Sequence, residues 1–216
     1  MSAMRERGIY LVTDHGLCGA RGVVETVRQA VAAGVRIVQL RAKDETLSGH
    51  LRELAALSDV ITSDTKLLVN DRLDVAVAAR SRGLPVAGVH LGQGDVAVSE
   101  ARTALGTDAI IGLSASTLRE VRDAPTAVVD YLGIGPIHAT TTKPDHPPAL
   151  GASGFRARVA ATNLPCFAIG GVQTDDIAAL VDAGAAGIAV VSAICGASDA
   201  YQAAASLQTT WQQEQK

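Results

Sequence analysis

The chain has 216 residues, 48% of them hydrophobic and only 3% aromatic, with a formal net charge of −3. That length suits one domain, and the charge balance excludes a general nucleic-acid binder, so any anion site must be a local cluster. No apolar run is long enough to cross a membrane, and Arg5, Glu6 and Arg7 stand where a secretory leader would need apolar residues, so a cytoplasmic protein is expected.

Taken in chain order, eight short apolar runs read as strands: residues 9–13, 35–40, 66–69, 87–91, 109–113, 131–134, 166–169 and 187–191. Several are apolar almost throughout, as parallel strands buried on both faces should be. With so few aromatics, the core must be built mainly from Val, Ile, Leu and Ala. Amphipathic stretches of helical character lie between the runs. One starts at Val23 and ends at Gly34, and another starts at Asp175 and ends at Gly184, so the phrase Ala-Gly before a strand reads as one helix-to-strand turn used twice. Residues 80–85 read as an enlarged turn. Residues 139–153 are dense in Thr, Pro and Gly and read as a binding loop or lid, the plainer alternative being a disordered excursion.

Strands alternating with helices fit a (β/α)8 barrel (a TIM barrel) or a doubly wound open sheet. No Gly-x-Gly-x-x-Gly follows the first strand, where the chain runs Thr13-Asp14-His15-Gly16-Leu17. Polar residues follow every strand from the second to the eighth, which suits a closed ring better than one switch point. The expectation is therefore a single barrel over residues 1–216, frayed at 1–7 and 212–216.

In such a barrel the strand C-termini converge on one face, and chemistry collects there. Asp71 and Asp95 come from neighbouring strand ends. Two carboxylates with no Cys nearby make a hard-oxygen site that suits Mg²⁺, which takes few protein ligands and completes its shell with water and phosphate. A single Asp after a strand is more simply a helix cap, and Asp14, Asp108 and Asp175 read as caps or loop residues. Gln39, Arg41 and Lys43 alternate and so share a face. With Lys143 they could hold a Mg²⁺-bound diphosphate, or form only a ring of salt bridges at the barrel mouth. Gly170-Gly171, Ser192, Thr140 and Thr142 could hold a separate phosphate through backbone N–H and hydroxyl donors. Two anion sites suggest a transferase with diphosphate as leaving group. His90 reads as a packed, hydrogen-bonded residue rather than a base, and Trp211 as packing. Cys18, Cys166 and Cys195 match no disulfide or zinc spacing and read as reduced, buried thiols.

The segments Tyr10-Leu-Val-Thr-Asp14, Gln39-Leu-Arg-Ala-Lys43, Val69-Asn-Asp71, Gly88-Val-His-Leu-Gly-Gln-Gly-Asp95 and Gly112-Leu-Ser114 continue with Gly133-Ile-Gly-Pro-Ile137, Thr140-Thr-Thr-Lys143, Ile169-Gly-Gly171 and Val190-Val-Ser-Ala-Ile194. This ordered set resembles the thiamine-phosphate synthase family over almost the whole chain. The resemblance implies condensation of 4-amino-5-hydroxymethyl-2-methylpyrimidine diphosphate with 4-methyl-5-(2-phosphoethyl)thiazole, or its 2-carboxy form, giving thiamine phosphate and diphosphate. It implies Mg²⁺ on Asp71 and Asp95. It assigns the pyrimidine diphosphate to Gln39, Leu40, Arg41, Ala42, Lys43, Asn70, Ser114 and Lys143, with Arg41, Lys43, Ser114 and Lys143 catalytic. It assigns the thiazole phosphate to Thr140, Thr141, Thr142, Gly171, Val191 and Ser192. The implied mechanism ionises the diphosphate first, and the thiazole nitrogen captures the pyrimidine cation.

Ser116 departs from a His common in the family, and His138 from an aromatic. A thiazole tautomerase on the same barrel would not need the full diphosphate and metal set, and a non-catalytic phosphate sensor would not need paired carboxylates. The expected partners are small-molecule substrates, without nucleic acid or membrane, and a homodimer is compatible with the sequence.

Overall fold

The computed structural model describes residue 4 and residues 7–139 and 148–216. Eight parallel strands close into a barrel, each paired with its sequence neighbours and the last with the first. They are β1 (Gly8–Val12), β2 (Ile37–Leu40), β3 (Lys66–Asn70), β4 (Val86–Leu91), β5 (Ile110–Ser114), β6 (Tyr131–Ile134), β7 (Cys166–Ile169) and β8 (Gly187–Val190). Each coincides with a predicted run to within two residues. Closure excludes the doubly wound alternative.

The helices are α1 (His15–Cys18), α2 (Val23–Ala32), α3 (Leu47–Ser58), α4 (Leu73–Ser81), α5 (Val98–Leu105), α6 (Leu118–Asp123), α7 (Gly151–Val159), α8 (Ile177–Asp182), α9 (Ser192–Cys195) and α10 (Ala200–Glu214). In α2 the buried residues are Val23, Thr26, Val27, Ala30 and Val31, the spacing of one helical stripe. The chain leaves α2 through Gly34 at φ 102° and leaves α8 through Gly184 at φ 88°. In the first turn Val35 N–H reaches Ala30 C=O, and in the second Ala185 N–H reaches Leu180 C=O, both at 3.0 Å. The repeated Ala-Gly phrase is thus one left-handed cap used twice. The same turn occurs a third time, where Leu84 N–H reaches Ala79 C=O across Gly83, so residues 80–85 hold that cap and not an enlarged turn.

Alternation along the strands separates two cores. Ile9, Leu11, Val38, Leu40, Leu67 and Val69 face outward into an aliphatic layer beneath the helices. Tyr10, Ile37, Leu68, Ile110, Tyr131 and Phe167 fill the barrel itself. The three rings Tyr10, Tyr131 and Phe167 meet edge to face, with centroids 5.3–6.0 Å apart. They fit because Gly112 lies beside them. A Cβ there would stand 2.2 Å from Tyr131 Cζ and 2.5 Å from His90 Nδ1.

Met4 is buried with Ile37, Ile110 and Ala186 at the strand starts, and of the segment 1–7 expected to fray only residues 4 and 7 are described. At the other terminus α10 continues to Glu214, through 212–214. Leu207 and Trp211 anchor that helix, with Trp211 against Gly8 at the start of β1. The predicted loop at 139–153 also ends sooner than expected, because α7 begins at Gly151, and residues 140–147 of it lie outside the described residues. Among the described residues, no helix is long and apolar enough to cross a membrane.

Candidate active site

The C-terminal strand ends open onto one cavity of about 480 Å³. Gln39, Arg41 and Lys43 reach it from the end of β2, Asn70 and Asp71 from β3, Asp95 from beyond β4 and Ser114 from β5. Gly171, Val191 and Ser192 line it from the ends of β7 and β8. One cavity therefore gathers most of the residues assigned from sequence. Two are excluded. Leu40 is fully buried in the aliphatic layer, on the opposite side of β2 from Gln39, and the buried Ala42 does not line the cavity either. A contiguous motif on an extended segment sends alternate side chains to opposite faces. Thr140, Thr141, Thr142 and Lys143 lie outside the described residues.

The acidic pair sits on distinctive backbone. Asp71 has φ 59°, the one non-glycine residue at positive φ among those described. Asp is among the few residues that adopt this conformation readily. Its N–H donates to His90 C=O at 2.8 Å, extending the β3–β4 ladder past Asn70. Asp95 Oδ2 accepts the Gly92 N–H at 2.6 Å, which folds the loop after β4 back on itself. Among the described residues, no group of three or more His, Cys, Asp or Glu gathers as a metal site. Asp71 and Asp95 thus share the cavity without a third acidic, imidazole or thiol group of the described residues gathered beside them.

On the basic side, Arg41 donates to Asp14 Oδ2 at 2.9 Å, and its own N–H donates to Thr13 Oγ1 at 3.0 Å. Asp14 also caps α1 through the Leu17 N–H, so one carboxylate fixes a helix start and aligns the guanidinium. Asp175 and Asp176 lie in a 3-10 turn (Thr174–Asp176) before α8, and the Asp176 side chain closes that turn. Its Oδ2 accepts the Gln173 N–H, and its Oδ1 meets His138 Nε2 at 2.8 Å. Ser116 lines the cavity, and its N–H donates to Glu120 Oε2.

The C-terminal end of α9 is braced by Arg21, a residue with no role in the sequence reading. Its guanidinium donates to the carbonyls of Cys195 and Ala197 at 2.7 Å and its Nε to Thr26 Oγ1 at 2.9 Å. Gly170 and Gly171 take φ 89° and 69°, backbone that L-residues seldom adopt, and a Cβ at Gly170 would stand 2.6 Å from Pro136 Cβ. After β7 the cavity wall therefore exposes backbone at two successive positions.

Three residues that sequence reasoning left out of the site, Tyr10, His90 and Tyr131, also line the cavity. Their inward register on β1, β4 and β6 was the available signal. His90 is hydrogen-bonded through both ring nitrogens, in keeping with its reading as a packed residue. Burial pushes the Tyr10 and Tyr131 phenols well above their ordinary range. All three cysteines are buried and free of disulfides.

Comparison with known proteins adds a family and three relatives. A family model described as thiamine monophosphate synthase matches residues 9–194. The chain is 46% identical over 204 residues to a thiamine-phosphate synthase of Azorhizobium caulinodans, with 93% of each covered. It is 43% identical over 196 residues to one of Corynebacterium efficiens, with 88% of each covered. Among solved structures it is similar to the thiamine phosphate pyrophosphorylase of Pyrococcus furiosus, with a TM-score of 0.84, 30% identity and 97% of each chain covered.

Proposed function

The chain belongs to the thiamine monophosphate synthase family, and from that membership we propose that it joins 4-amino-5-hydroxymethyl-2-methylpyrimidine diphosphate to 4-methyl-5-(2-phosphoethyl)thiazole, or its 2-carboxy form. Membership makes it an enzyme, a transferase of thiamine biosynthesis. The products of the proposed reaction are thiamine phosphate and diphosphate. The observation that carries this reading is the single cavity that unites Arg41, Lys43, Asp71 and Asp95 with Gly171 and Ser192. A thiazole tautomerase or a phosphate sensor has no use for the first four together.

The residues divide by chemistry. Arg41 and Lys43 bind the diphosphate, and Arg41 is already oriented by Asp14. Lys143 adds a third cation at the same group. Negative charge grows on the departing diphosphate, so cations already in place lower the barrier more than they tighten ground-state binding. Asn70 and Ser114 add polar contacts to the pyrimidine diphosphate. Thr140, Thr141, Thr142, Gly171, Val191 and Ser192 hold the thiazole phosphate, largely through main-chain N–H groups where glycine lets the anion approach. The cavity's task is then to hold the thiazole nitrogen in line with the pyrimidine methylene and to keep water away from it.

Asp71 and Asp95 fit a divalent cation of the Mg²⁺ type. They supply two hard oxygen donors on one rim, and among the described residues no thiolate or imidazole completes a softer three-ligand set. Bound there, Mg²⁺ would neutralise charge on the diphosphate. Buried thiols without disulfides support a reducing, cytoplasmic setting. The direct test mixes both substrates with Mg²⁺ and assays thiamine phosphate and released diphosphate. Formation of both in equal amounts is expected. Hydrolysis of the pyrimidine diphosphate alone, or no reaction, overturns the proposal.

A further inference from the structure

A chain of hydrogen bonds crosses the barrel beneath the cavity, from β2 to β5. Gln39 Nε2 donates to Tyr10 Oη at 2.6 Å, and Tyr10 Oη lies 2.8 Å from Tyr131 Oη. Tyr131 Oη lies 2.9 Å from His90 Nδ1, and His90 Nε2 lies 2.9 Å from Ser114 Oγ. Tyr10, His90 and Tyr131 have no part in the reaction as proposed above.

The first bond sets the sense of all the others. An amide nitrogen only donates, so the Tyr10 oxygen accepts and its single hydrogen must go elsewhere. Tyr10 is buried, and among the described residues the other partner of its hydroxyl is Tyr131. The opposite sense would bury a hydroxyl hydrogen with no acceptor, which native interiors avoid. Tyr131 therefore receives from Tyr10 and gives its own hydrogen to His90 Nδ1. A neutral imidazole whose Nδ1 accepts carries its hydrogen on Nε2, and that hydrogen goes to Ser114 Oγ. Burial keeps both phenols protonated far above neutral pH, so each tyrosine enters the chain with its hydroxyl hydrogen in place. The Ser114 oxygen accepts from His90 through one of its two lone pairs, and the Ser114 hydrogen remains for the cavity.

We propose that Gln39, Tyr10, Tyr131 and His90 together set the hydrogen-bond polarity of Ser114, directing its hydroxyl hydrogen to an acceptor oxygen of the bound diphosphate, with His90 as the positioning residue held in its Nε2–H tautomer. The ligand in this statement rests on the reaction proposed above, whereas the tautomer does not. The device presents a directed hydrogen to an acceptor at that point of the cavity. An acceptor whose charge grows as the diphosphate leaves gains more from a fixed donor in the transition state than in the ground state.

The experiment has two arms. Long-range ¹H–¹⁵N correlation on the labelled whole protein reads the tautomer of each of the five histidines. His90 is assigned by the signal lost in His90→Gln. The expected result is the Nε2–H form in the unmodified protein and loss of that preference in Tyr131→Phe. A second variant, Tyr10→Phe, breaks the chain one bond earlier and should act in the same direction. In the kinetic arm, Tyr131→Phe is expected to lower kcat roughly tenfold while KM for the pyrimidine diphosphate changes less than about twofold. In a Ser114→Ala background the same substitution should cost less than about twofold, because there is no longer a hydroxyl to direct. An Nδ1–H tautomer in the unmodified protein overturns the proposal. So does an equal loss of kcat in both backgrounds, which would mark Tyr131 as packing alone. A protein that makes no thiamine phosphate sinks the reaction and leaves the tautomer to decide the relay.

Discussion

The two ends of the barrel use charge in opposite ways. At the N-terminal end, Arg102 donates to the carbonyls of Gly106, Ala109 and Val128 and to Asp130 Oδ2, which also accepts the Ile111 N–H. Arg80 there meets Asp108, and Met4 is buried against the strand starts. These charges are consumed by the protein itself, closing loops between strand starts. At the C-terminal end, Lys43, Asp71 and Asp95 gather around open volume, over glycine-rich turns that present backbone. The scaffold is stapled at one end so that the other can hold charge in place for a ligand, the division of labour that barrel enzymes share. Substitutions should therefore separate: activity without stability at one end, stability without activity at the other.

The largest effect is expected from the acidic pair. Asp71→Asn and Asp95→Asn keep size, and Asn tolerates the positive φ that position 71 demands. Each should lower kcat by roughly a thousandfold or more, with Tm little changed. Activity should also vanish in excess chelator and return with Mg²⁺. Full turnover without a divalent cation would make the pair structural and erase the contrast between the ends.

Arg102→Ala is the counterpart. It strips the partner from Asp130, whose side chain is 1% exposed, and releases three loop carbonyls. Leaving a buried carboxylate uncompensated should cost about 3 kcal/mol, measured by urea unfolding. The kcat of the folded fraction should stay within about twofold. A fall in kcat matching the Asp71 variant would show that the two ends are coupled.

Gly112→Ala probes the layer between them. The new methyl would press on both Tyr131 and His90, so a loss of about 2 kcal/mol in stability is expected together with a fall in kcat. This middle layer is also where the sequence was least legible. The eight strands could be read because parallel strands buried on both faces give dense apolar runs. The site's charges could be read because barrel closure brings all strand ends together. The inner network could not. Tyr10 and Tyr131 meet over a separation of 121 residues, and nothing in local spacing says which inward side chains touch across a ring of strands. Arg102 and Asp130 went unread for the same reason. Leu40 and Ala42 stand apart from Gln39, Arg41 and Lys43 because strand alternation assigns the members of a contiguous motif to two faces.

The smallest expected effect belongs to Asp108→Asn. The hydrogen bond from Arg80 is the main cause holding the Asp108 carboxyl below the usual carboxylate range, with its own backbone N–H next. A carboxyl lowered by folding contributes stability that is present above its unfolded value and lost as pH falls through the folded value. Since this pair is exposed and screened by solvent, the variant should lie within about 3 °C of the parent Tm at neutral pH. The gap should close as the pH is brought below the carboxylate range, and it should shrink in high salt. Turnover should be unaffected at every pH where both proteins are folded, because the lost charge lies on the stapled end. A Tm gap that persists in strong acid would mean that Asp108 acts through packing or backbone geometry, and the charges of this end would then need to be weighed one by one rather than as a class.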